Sequence, residues 1–304
     1  MITLSGLILI SFGLAWFSAD EPGQRLDREY FRIPDTEKID KVILRSPKGE
    51  IQLGYEGSRW HVNDSLDADV QMIKVLFATL KQIEPRRPVA AVRRDSVIRK
   101  LADNGIEVTL FESGEKQMTF LVGGNDGKTE TWFKKDADPQ PYVMMIPGYR
   151  VYVAGIFELD ESGWRDKRIF NFNWRNFRSL KVIFPKESRS DFEIEMKGTY
   201  FGIKSLPNVD TARLNNFLDA LSLLYADRYN TEDKIMVDSL LKLPPLVQFK
   251  INDAANRSYS LDILPSRLKD REVYGRLANG EVVAFGKQKT REIVRRKEYF
   301  LPGK

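Results

Sequence analysis

The sequence contains no cysteine and a single histidine, His61. Without cysteine there can be no disulfide bond, thiol nucleophile, thiolate zinc site or lipid attached to an N-terminal cysteine. One histidine cannot form a cluster of metal ligands, and a Ser-His-Asp triad would have to use His61. No G-x-S-x-G motif is present to supply an exposed serine. The sequence therefore predicts no cofactor, metal site or catalytic residue, and we expect a protein that is not an enzyme.

The chain also lacks a block of proline, glycine or serine long enough to form a disordered linker. Its 304 residues are 42% hydrophobic and 30% charged, which is typical of globular proteins with about two domains. The net charge of +5 comes from interspersed acids and bases. Two basic segments, residues 86–100 and 287–297, are most simply explained as solvated helix faces, the alternative being contact with anionic lipid or an acidic partner. We expect no nucleic-acid partner, because such proteins concentrate positive charge in a stripe.

One long uncharged apolar run is present, over residues 2–17. It is slightly shorter than the roughly 20 residues of a spanning helix, but Trp16 and Phe17 lie where an interfacial aromatic belt would be. A cleaved signal peptide would have a basic start and small residues at its cleavage site, and a core helix would not be apolar all round. We therefore expect a transmembrane anchor over residues 1–19 and a linker over residues 20–37. No Lys or Arg precedes the run, so we further expect that the natural start lies upstream and carries the positive charge.

Beyond the linker, a pattern of strands and helices occurs twice, about 140 residues apart. In each copy two strands precede a turn with a large aromatic residue, and a long helix, a second helix, three strands and a short helix follow. The first long helix is predicted over residues 68–84 with Asp67 as its N-cap. Its counterpart is predicted over residues 211–225 with Asp210 as its N-cap.

The repeated pattern predicts an α+β fold with two tandem repeats, each a mostly antiparallel sheet packed with helices. The first repeat spans residues 38–163 and the second spans residues 178–304. In this alignment Trp60 corresponds to Tyr200, and His61 corresponds to Phe201. Because an apolar residue occupies the second copy, a structural role is the simpler interpretation of His61.

An aromatic and basic connector joins the repeats over residues 164–177. It does not have the composition of a flexible linker, so we expect its aromatic side chains to pack between the two copies. Cation–π contacts with its arginines would add to that packing. The alternative is a surface for a protein partner, formed by Trp164, Arg165, Arg168, Phe172 and Trp174.

Two motifs have the appearance of ligand sites. Residues 122–129 end in Gly-Lys-Thr like a phosphate-binding loop, but position 122 is Val rather than Gly and a strand follows instead of a helix. This segment is predicted to be a hairpin turn. The carboxylates of Asp191, Glu193 and Glu195 alternate along a predicted strand and share one face, where a hard cation would find oxygen ligands. The simpler interpretation is the solvent side of a half-buried strand.

Three segments resemble a widespread bacterial family of unknown function, whose members have an N-terminal membrane segment and tandem copies of this α+β unit. They are Ser58–Val62 with the helix that follows, Gly123–Gly124, and the Trp164–Phe170 stretch leading into the second copy. The resemblance covers roughly residues 38–300. Such proteins often accompany gliding-motility-type ABC transporter auxiliary proteins, so the resemblance implies an accessory role at a transporter or other envelope machine.

The preferred functional prediction is a non-enzymatic accessory or scaffold protein in the bacterial inner membrane, with its soluble part in the periplasm. Its partners would be proteins of the cell envelope, with ABC transporter subunits as candidates. The alternative is a binding module for an envelope glycan or small ligand, and a third class is a hydrolase. A scaffold predicts an apolar surface patch, a binding module predicts a concave aromatic pocket, and a hydrolase predicts buried carboxylates with perturbed pKa values.

Overall fold

A computed structural model of the chain describes residues 26–170, 172, 176–229, 233–266 and 271–302. The chain divides into two compact units, Met1–Trp164 and Arg165–Lys304. The predicted anchor at residues 1–19 lies outside the described residues. In the part of the chain that is described, no helix is long and apolar enough to cross a membrane.

The first unit is an antiparallel sheet with helices packed on it, as predicted. Its strands are β1 (Lys41–Ser46), β2 (Gly49–Glu56), β3 (Arg59–Val62), β4 (Leu66–Asp67), β5 (Glu84–Pro88), β6 (Ile106–Glu112), β7 (Glu115–Gly124), β8 (Thr131–Lys135) and β9 (Tyr142–Met145). They pair in the order β4-β3-β2-β1-β6-β7-β8-β9-β5. The α-helices are α1 (Val70–Gln82), α2 (Ala91–Asn104) and α3 (Glu161–Trp164). Short 3-10 helices span Thr36–Lys38 and Val153–Ile156.

The core of the first unit lies between one sheet face and α1. Val42 and Leu44 alternate with more exposed residues along β1, so every second side chain points into the core. Ile73, Leu76 and Leu80 recur at helical spacing on α1 and meet that face. Burying each such side chain contributes about 1.5–3 kcal/mol. The α1 helix begins at Val70, because its N-cap is Asp69, which accepts hydrogen bonds from two backbone amides, and not the predicted Asp67.

The second unit repeats this architecture. Its strands are β10 (Phe177–Ile183), β11 (Phe192–Lys197), β12 (Tyr200–Ile203), β13 (Arg228–Tyr229), β14 (Val247–Asp253), β15 (Ser258–Ile263), β16 (Glu272–Leu277) and β17 (Val282–Gly286). They form an antiparallel sheet in the order β12-β11-β10-β14-β15-β16-β17-β13. The α-helices are α4 (Thr211–Ser222), α5 (Lys234–Leu241) and α6 (Lys287–Ile293). As predicted, α4 is capped by Asp210, whose side chain accepts from the amide of Arg213.

A constant offset of 141 positions relates most elements of the two units. It carries Val70, at the start of α1, to Thr211, at the start of α4. It also carries the pair Ile106–Val122 to the pair Val247–Ile263. The mixed α+β fold class and two antiparallel sheets with the same element order are therefore confirmed.

The register of the hairpins corrects the predicted alignment by one residue. The pair next to the turn is Glu56–Arg59 in the first unit and Lys197–Tyr200 in the second. Trp60 therefore corresponds to Phe201 rather than to Tyr200. A shift of one residue matters in a strand, because successive side chains point to opposite faces.

Each unit opens with an aromatic residue placed in its own core. Phe31 lies within the predicted linker, but it is fully buried and its ring makes edge contacts with Phe120 and Phe133. In the second unit, Phe172 is buried beside Phe170. The described part of the predicted linker therefore belongs to the first unit, and the described part of the predicted connector beyond Trp164 belongs to the second.

Each unit also closes with a buried aromatic residue. The carbonyl of Trp164 accepts from the amide of Asp69, and the carbonyl of Phe300 accepts from the amide of Asp210. Both acceptors thus sit at the N-cap of the long helix of their unit, and both side chains are fully buried. Trp164 is the closing residue of the first core, which explains why the unit ends there.

Candidate functional site

The first unit carries an open groove of about 510 Å³ along one side of α1. Its walls are α1, the tip of the β2–β3 hairpin and the 3-10 helix Thr36–Lys38. We call it the aromatic groove. Its lining residues are Thr36, Glu37, Ile39, Tyr55, Trp60, Val70, Ile73, Lys74, Phe77, Ala78 and Lys81.

Three aromatic rings, two on the hairpin and one on α1, line the aromatic groove. Tyr55 and Trp60 face each other across the hairpin as a paired register position, with ring centroids 5.6 Å apart. Trp60 also contacts Phe77 on α1, with centroids 5.3 Å apart. The rings are tilted rather than stacked on one another.

The groove is apolar on its floor and charged on its rim. Ile39 and Ile73 are buried beneath the rings, whereas Val70 is 55% exposed and Tyr55 is 49% exposed. On the rim, Lys74 and Lys81 are two helical turns apart on α1 and both are exposed. Side chains with this degree of apolar exposure beside a polar rim are typical of binding surfaces.

The aromatic groove was not predicted from the sequence. Helical spacing predicts that Val70 and Phe77 lie on the inward face of α1, together with Ile73 and Leu80. The structure exposes more than half of Val70 and leaves Phe77 partly buried, so the apolar stripe is wider than the surface that the sheet covers. The width of this apolar stripe is the feature of the sequence that could have indicated the groove.

The structure buries the two described aromatic residues of the partner surface that the connector was predicted to form as an alternative. Trp164 is fully buried and Phe172 is 6% exposed, so neither aromatic side chain is available to a partner in this structure. Trp174 lies outside the described residues. Arg168 forms an ion pair with Asp166 at 2.7 Å.

Arg165, the remaining member of that set, is built into the second unit. Its two terminal nitrogens donate to both carboxylate oxygens of Glu281 at 2.6 and 2.7 Å. Its guanidinium lies 3.6 Å from the ring centroid of Tyr229, whose hydroxyl donates to the carbonyl of Asp166. The hydrogen bonds from Arg165 lower the pKa of Glu281. The predicted cation–π contact is therefore present, with Tyr229 as the partner instead of a connector aromatic.

The phosphate-loop-like segment is a hairpin turn, as predicted. β7 ends at Gly124 and β8 begins at Thr131, and the side chain of Asn125 accepts from the amides of Thr129 and Glu130. The two glycines before the turn have packing roles. A Cβ on Gly123 would lie 2.8 Å from the side chain of Leu101, and a Cβ on Gly124 would lie 2.3 Å from the Tyr152 hydroxyl.

The contacts of His61 and of the acidic side chains at and before β11 are those of structural residues. The Nδ1 atom of His61 is buried and lies 3.8 Å from a carboxylate oxygen of Asp67. Asp191 accepts from the amide of Phe184, which ties its loop, and Glu193 lies 3.8 Å from Lys204. Over the described ranges, no group of three or more His, Cys, Asp or Glu side chains is arranged to hold a metal ion.

Part of the positive charge in each of the two basic segments is paired with carboxylates. Glu130 accepts from both Arg87 and Arg93 at 2.7 Å. Lys100 pairs with Asp126. In the second segment Arg296 pairs with Glu187, and Lys289 pairs with Asp227. These pairs account for that part of the charge without an external partner.

Comparison with known proteins gives one assignment. No curated protein and no solved structure matches the chain. A family model described as a domain of unknown function, DUF4340, matches residues 60–242. The match is longer than half of the chain and begins at Trp60 in the aromatic groove. It runs across the boundary between the two units and ends just after α5. The chain belongs to the DUF4340 family.

Proposed function

We propose that this chain is a non-enzymatic, membrane-anchored scaffold of the bacterial cell envelope, which holds a protein partner in its aromatic groove. The observation that carries the proposal is the cluster of the exposed Tyr55 and Val70 with the partly buried Trp60, beside a charged rim. Aromatic side chains that can be fully desolvated by a partner dominate the energetics of protein interfaces. The connector was the other candidate surface, and its burial leaves the groove as the stronger one.

The partner we propose is a subunit of an ABC-type transporter or of a motility machine. This part of the proposal rests on the resemblance of the sequence motifs to envelope proteins that accompany gliding-motility-type transporters. The anchor over residues 1–19 would hold the two units on the periplasmic side of the inner membrane. A scaffold in this position needs a surface for a protein and no reaction centre.

A second candidate function is favoured by the same rings. A volume of about 510 Å³ lies within the range of small-molecule sites, and tilted aromatic faces suit the apolar faces of sugars. The chain would then be a binding module for an envelope glycan or small ligand. The groove is open along its length, however, and small-ligand sites bury most of their ligand. The protein partner is therefore the first choice.

The test is a mild-detergent pull-down of the full-length protein from native membranes, followed by mass spectrometry. Tyr55→Ala removes an exposed ring from the groove, and Tyr200→Ala removes an exposed ring from the hairpin tip of the second unit. We expect near-stoichiometric transporter subunits with the wild type and with Tyr200→Ala. We expect about tenfold less of them with Tyr55→Ala, as for loss of an aromatic interface residue.

Equal recovery with both variants would contradict a role for the groove. A wild-type protein that comes down without a partner would contradict the scaffold proposal and favour the small-ligand candidate. Circular dichroism of both variants checks that each is folded, which we expect because both tyrosines are about half exposed.

A further inference from the structure

We infer that the aromatic groove takes a short amphipathic helix of the partner, with acidic side chains facing Lys74 and Lys81. The inference rests on the proposed function and adds the class of segment that is recognised. It depends on three properties of the groove: the backbone groups that its walls offer, its length and its charge.

The strand ends that line the groove already use backbone groups in bonds within the first unit. At the hairpin tip the amide of Tyr55 donates to the carbonyl of Asp40, and the carbonyl of Trp60 accepts from the amide of Ala68. The third wall is the side of α1, whose backbone groups bond within the helix. An extended segment would gain no ladder of hydrogen bonds here, so its own amides and carbonyls would lose water without compensation. A helix satisfies these groups internally, which favours it as the occupant.

The length of the groove matches a short helix. Its lining residues on α1 run from Val70 to Lys81, which is about 16 Å at 1.5 Å per residue. A partner helix of about three turns would lie along this distance. Its apolar side chains at positions i, i+3, i+4 and i+7 would contact the rings of Trp60 and Phe77, as in other complexes where a helix binds in a groove.

The charges on the two walls differ in sign. Lys74 and Lys81 lie on the α1 wall, and neither forms an ion pair within the described part of the chain. The neighbouring Lys38, by contrast, is paired with Asp35. Glu37 lines the opposite wall. The complementary helix carries acidic residues along the edge that faces α1, and a basic residue on the other edge suits Glu37.

The exposure of the groove favours a protein segment over an acyl chain. Tyr55 and Val70 are each about half exposed, so the groove is a surface channel. Acyl chains and other small apolar ligands are held in sites that bury most of their surface. A helix that is itself part of a larger protein covers such a channel from above.

The experiment uses the full-length chain in nanodiscs of neutral lipid and two fluorescent peptides of fourteen residues. Both peptides have leucine at i, i+3, i+4 and i+7, and one carries glutamate where the other carries lysine. Anisotropy at low salt should show about tenfold tighter binding of the glutamate peptide, because two exposed ion pairs replace two repulsive contacts. Empty nanodiscs measure partition of the peptides into lipid.

Charge reversal supplies the matched control. Lys74→Glu with Lys81→Glu should reverse the preference, so that the lysine peptide binds more tightly. Asn215→Glu with Ser222→Glu introduces two glutamates at the corresponding positions of α4 and should leave the preference unchanged. All four positions lie on a helix surface, so folding is expected to tolerate both double variants.

The outcomes separate this inference from the proposed function. Equal binding of the two peptides, or a preference that Lys74→Glu with Lys81→Glu does not alter, overturns the acidic-helix inference. If Tyr55→Ala still abolishes recovery of the partner in the pull-down, the scaffold proposal stands without the acidic-helix inference. If the peptides behave as expected but no envelope protein is recovered, the groove still binds an acidic amphipathic helix, and the proposed partner is wrong.

Discussion

At the same place in both units, a hairpin tip lies beside the first long helix, but the side chains there differ. The first unit has Trp60 on the hairpin with its ring against Phe77, and the groove between them is open. The second unit has Phe201 at the corresponding hairpin position, and its ring makes an edge contact with Phe177 at 5.4 Å. On the helix, Leu218 takes the place of Phe77 and is fully buried.

The difference teaches that one backbone plan leaves the same helix position covered in one unit and partly open in the other. In the second unit Leu218 is fully buried and contributes its full burial to stability, whereas Phe201, like Trp60, is partly buried. In the first unit Phe77 is a larger ring that the core only partly covers. A ring that stays partly in water gains less from burial than a side chain that the core covers completely.

The largest effect should come from removing the closing aromatic residue of either unit. Trp164→Ala and Phe300→Ala each leave a cavity in a fully buried site, at an expected cost of about 3–5 kcal/mol. Hydrogen exchange with mass spectrometry reports the two units separately. We expect Trp164→Ala to increase exchange mainly in the first unit and Phe300→Ala mainly in the second.

The opposite distribution, or equal loss in both units from either variant, would contradict the assignment of Trp164 to the first core. Trp164→Phe is the milder control. The indole nitrogen of Trp164 has no hydrogen-bond partner in the described part of the chain, so the phenyl ring loses only volume. Its cost should be well below that of alanine.

The next effect concerns the helix position that differs between the units. Leu218→Ala should cost about 2–5 kcal/mol, because the side chain is fully buried. Phe77→Ala should cost about 1–1.5 kcal/mol despite its larger side chain, because part of the ring is already in water. Denaturant unfolding, monitored by hydrogen exchange in each unit, gives the loss of unfolding free energy for both variants. An equal cost would mean that Phe77 is an ordinary core residue.

A smaller effect should appear in the pH dependence of the second unit. Hydrogen bonds from Arg165 lower the pKa of Glu281 in the folded protein. A lowered folded-state pKa stabilises the fold above the unfolded value, about 4.3, and this contribution is lost as the pH falls through the folded-state pKa. Arg165→Met removes the donor, so the unfolding free energy of the second unit should fall less steeply with acid below about pH 4.5.

The control for this pH effect lies in the first unit. Arg45 pairs with Glu50 and Glu107, but its side chain is 56% exposed. Arg45→Met should therefore change stability by no more than about 1 kcal/mol at neutral pH. If the stability of the two methionine variants depends on acid in the same way, the partly buried pair between Arg165 and Glu281 contributes no more to stability than the exposed pairs of Arg45.

Much of the fold was predictable because local signals and tertiary packing agree. Alternation of apolar residues, as at Val42 and Leu44, is typical of strands that lie half in the core. Asp210 predicted the start of α4, since its carboxylate satisfies a free amide. Such agreement between levels is typical of sequences that specify one fold.

The errors have physical causes of their own. The start of α2 at Ala91 has no N-cap signal in the sequence, because the apolar side chain of Ala90 cannot accept a hydrogen bond from a free amide. β5 was not predicted, because it is an edge strand and contains Pro85 and Pro88. The hairpins were aligned by their aromatic residues, whereas the register is set by the turns at Gly57 and Gly198.

The candidate site was less predictable than the fold. Whether an apolar stripe is covered depends on which elements pack over it, and periodicity does not contain that information. The connector shows the same limit. Its aromatic residues were expected to pack between the two copies, with a partner surface as the alternative, whereas Trp164 and Phe172 each lie in the core of their own unit.

The most direct test of the account is photocrosslinking in living cells from the aromatic groove. A benzophenone amino acid at Ala78 stands in the groove, and the same residue at Asp219 stands at the corresponding exposed position of α4. We predict one abundant crosslinked envelope protein from position 78 and none above background from position 219. Equal crosslinking from the two positions, or none from position 78 in the folded protein, would contradict the claim that the first unit holds a protein partner in its groove.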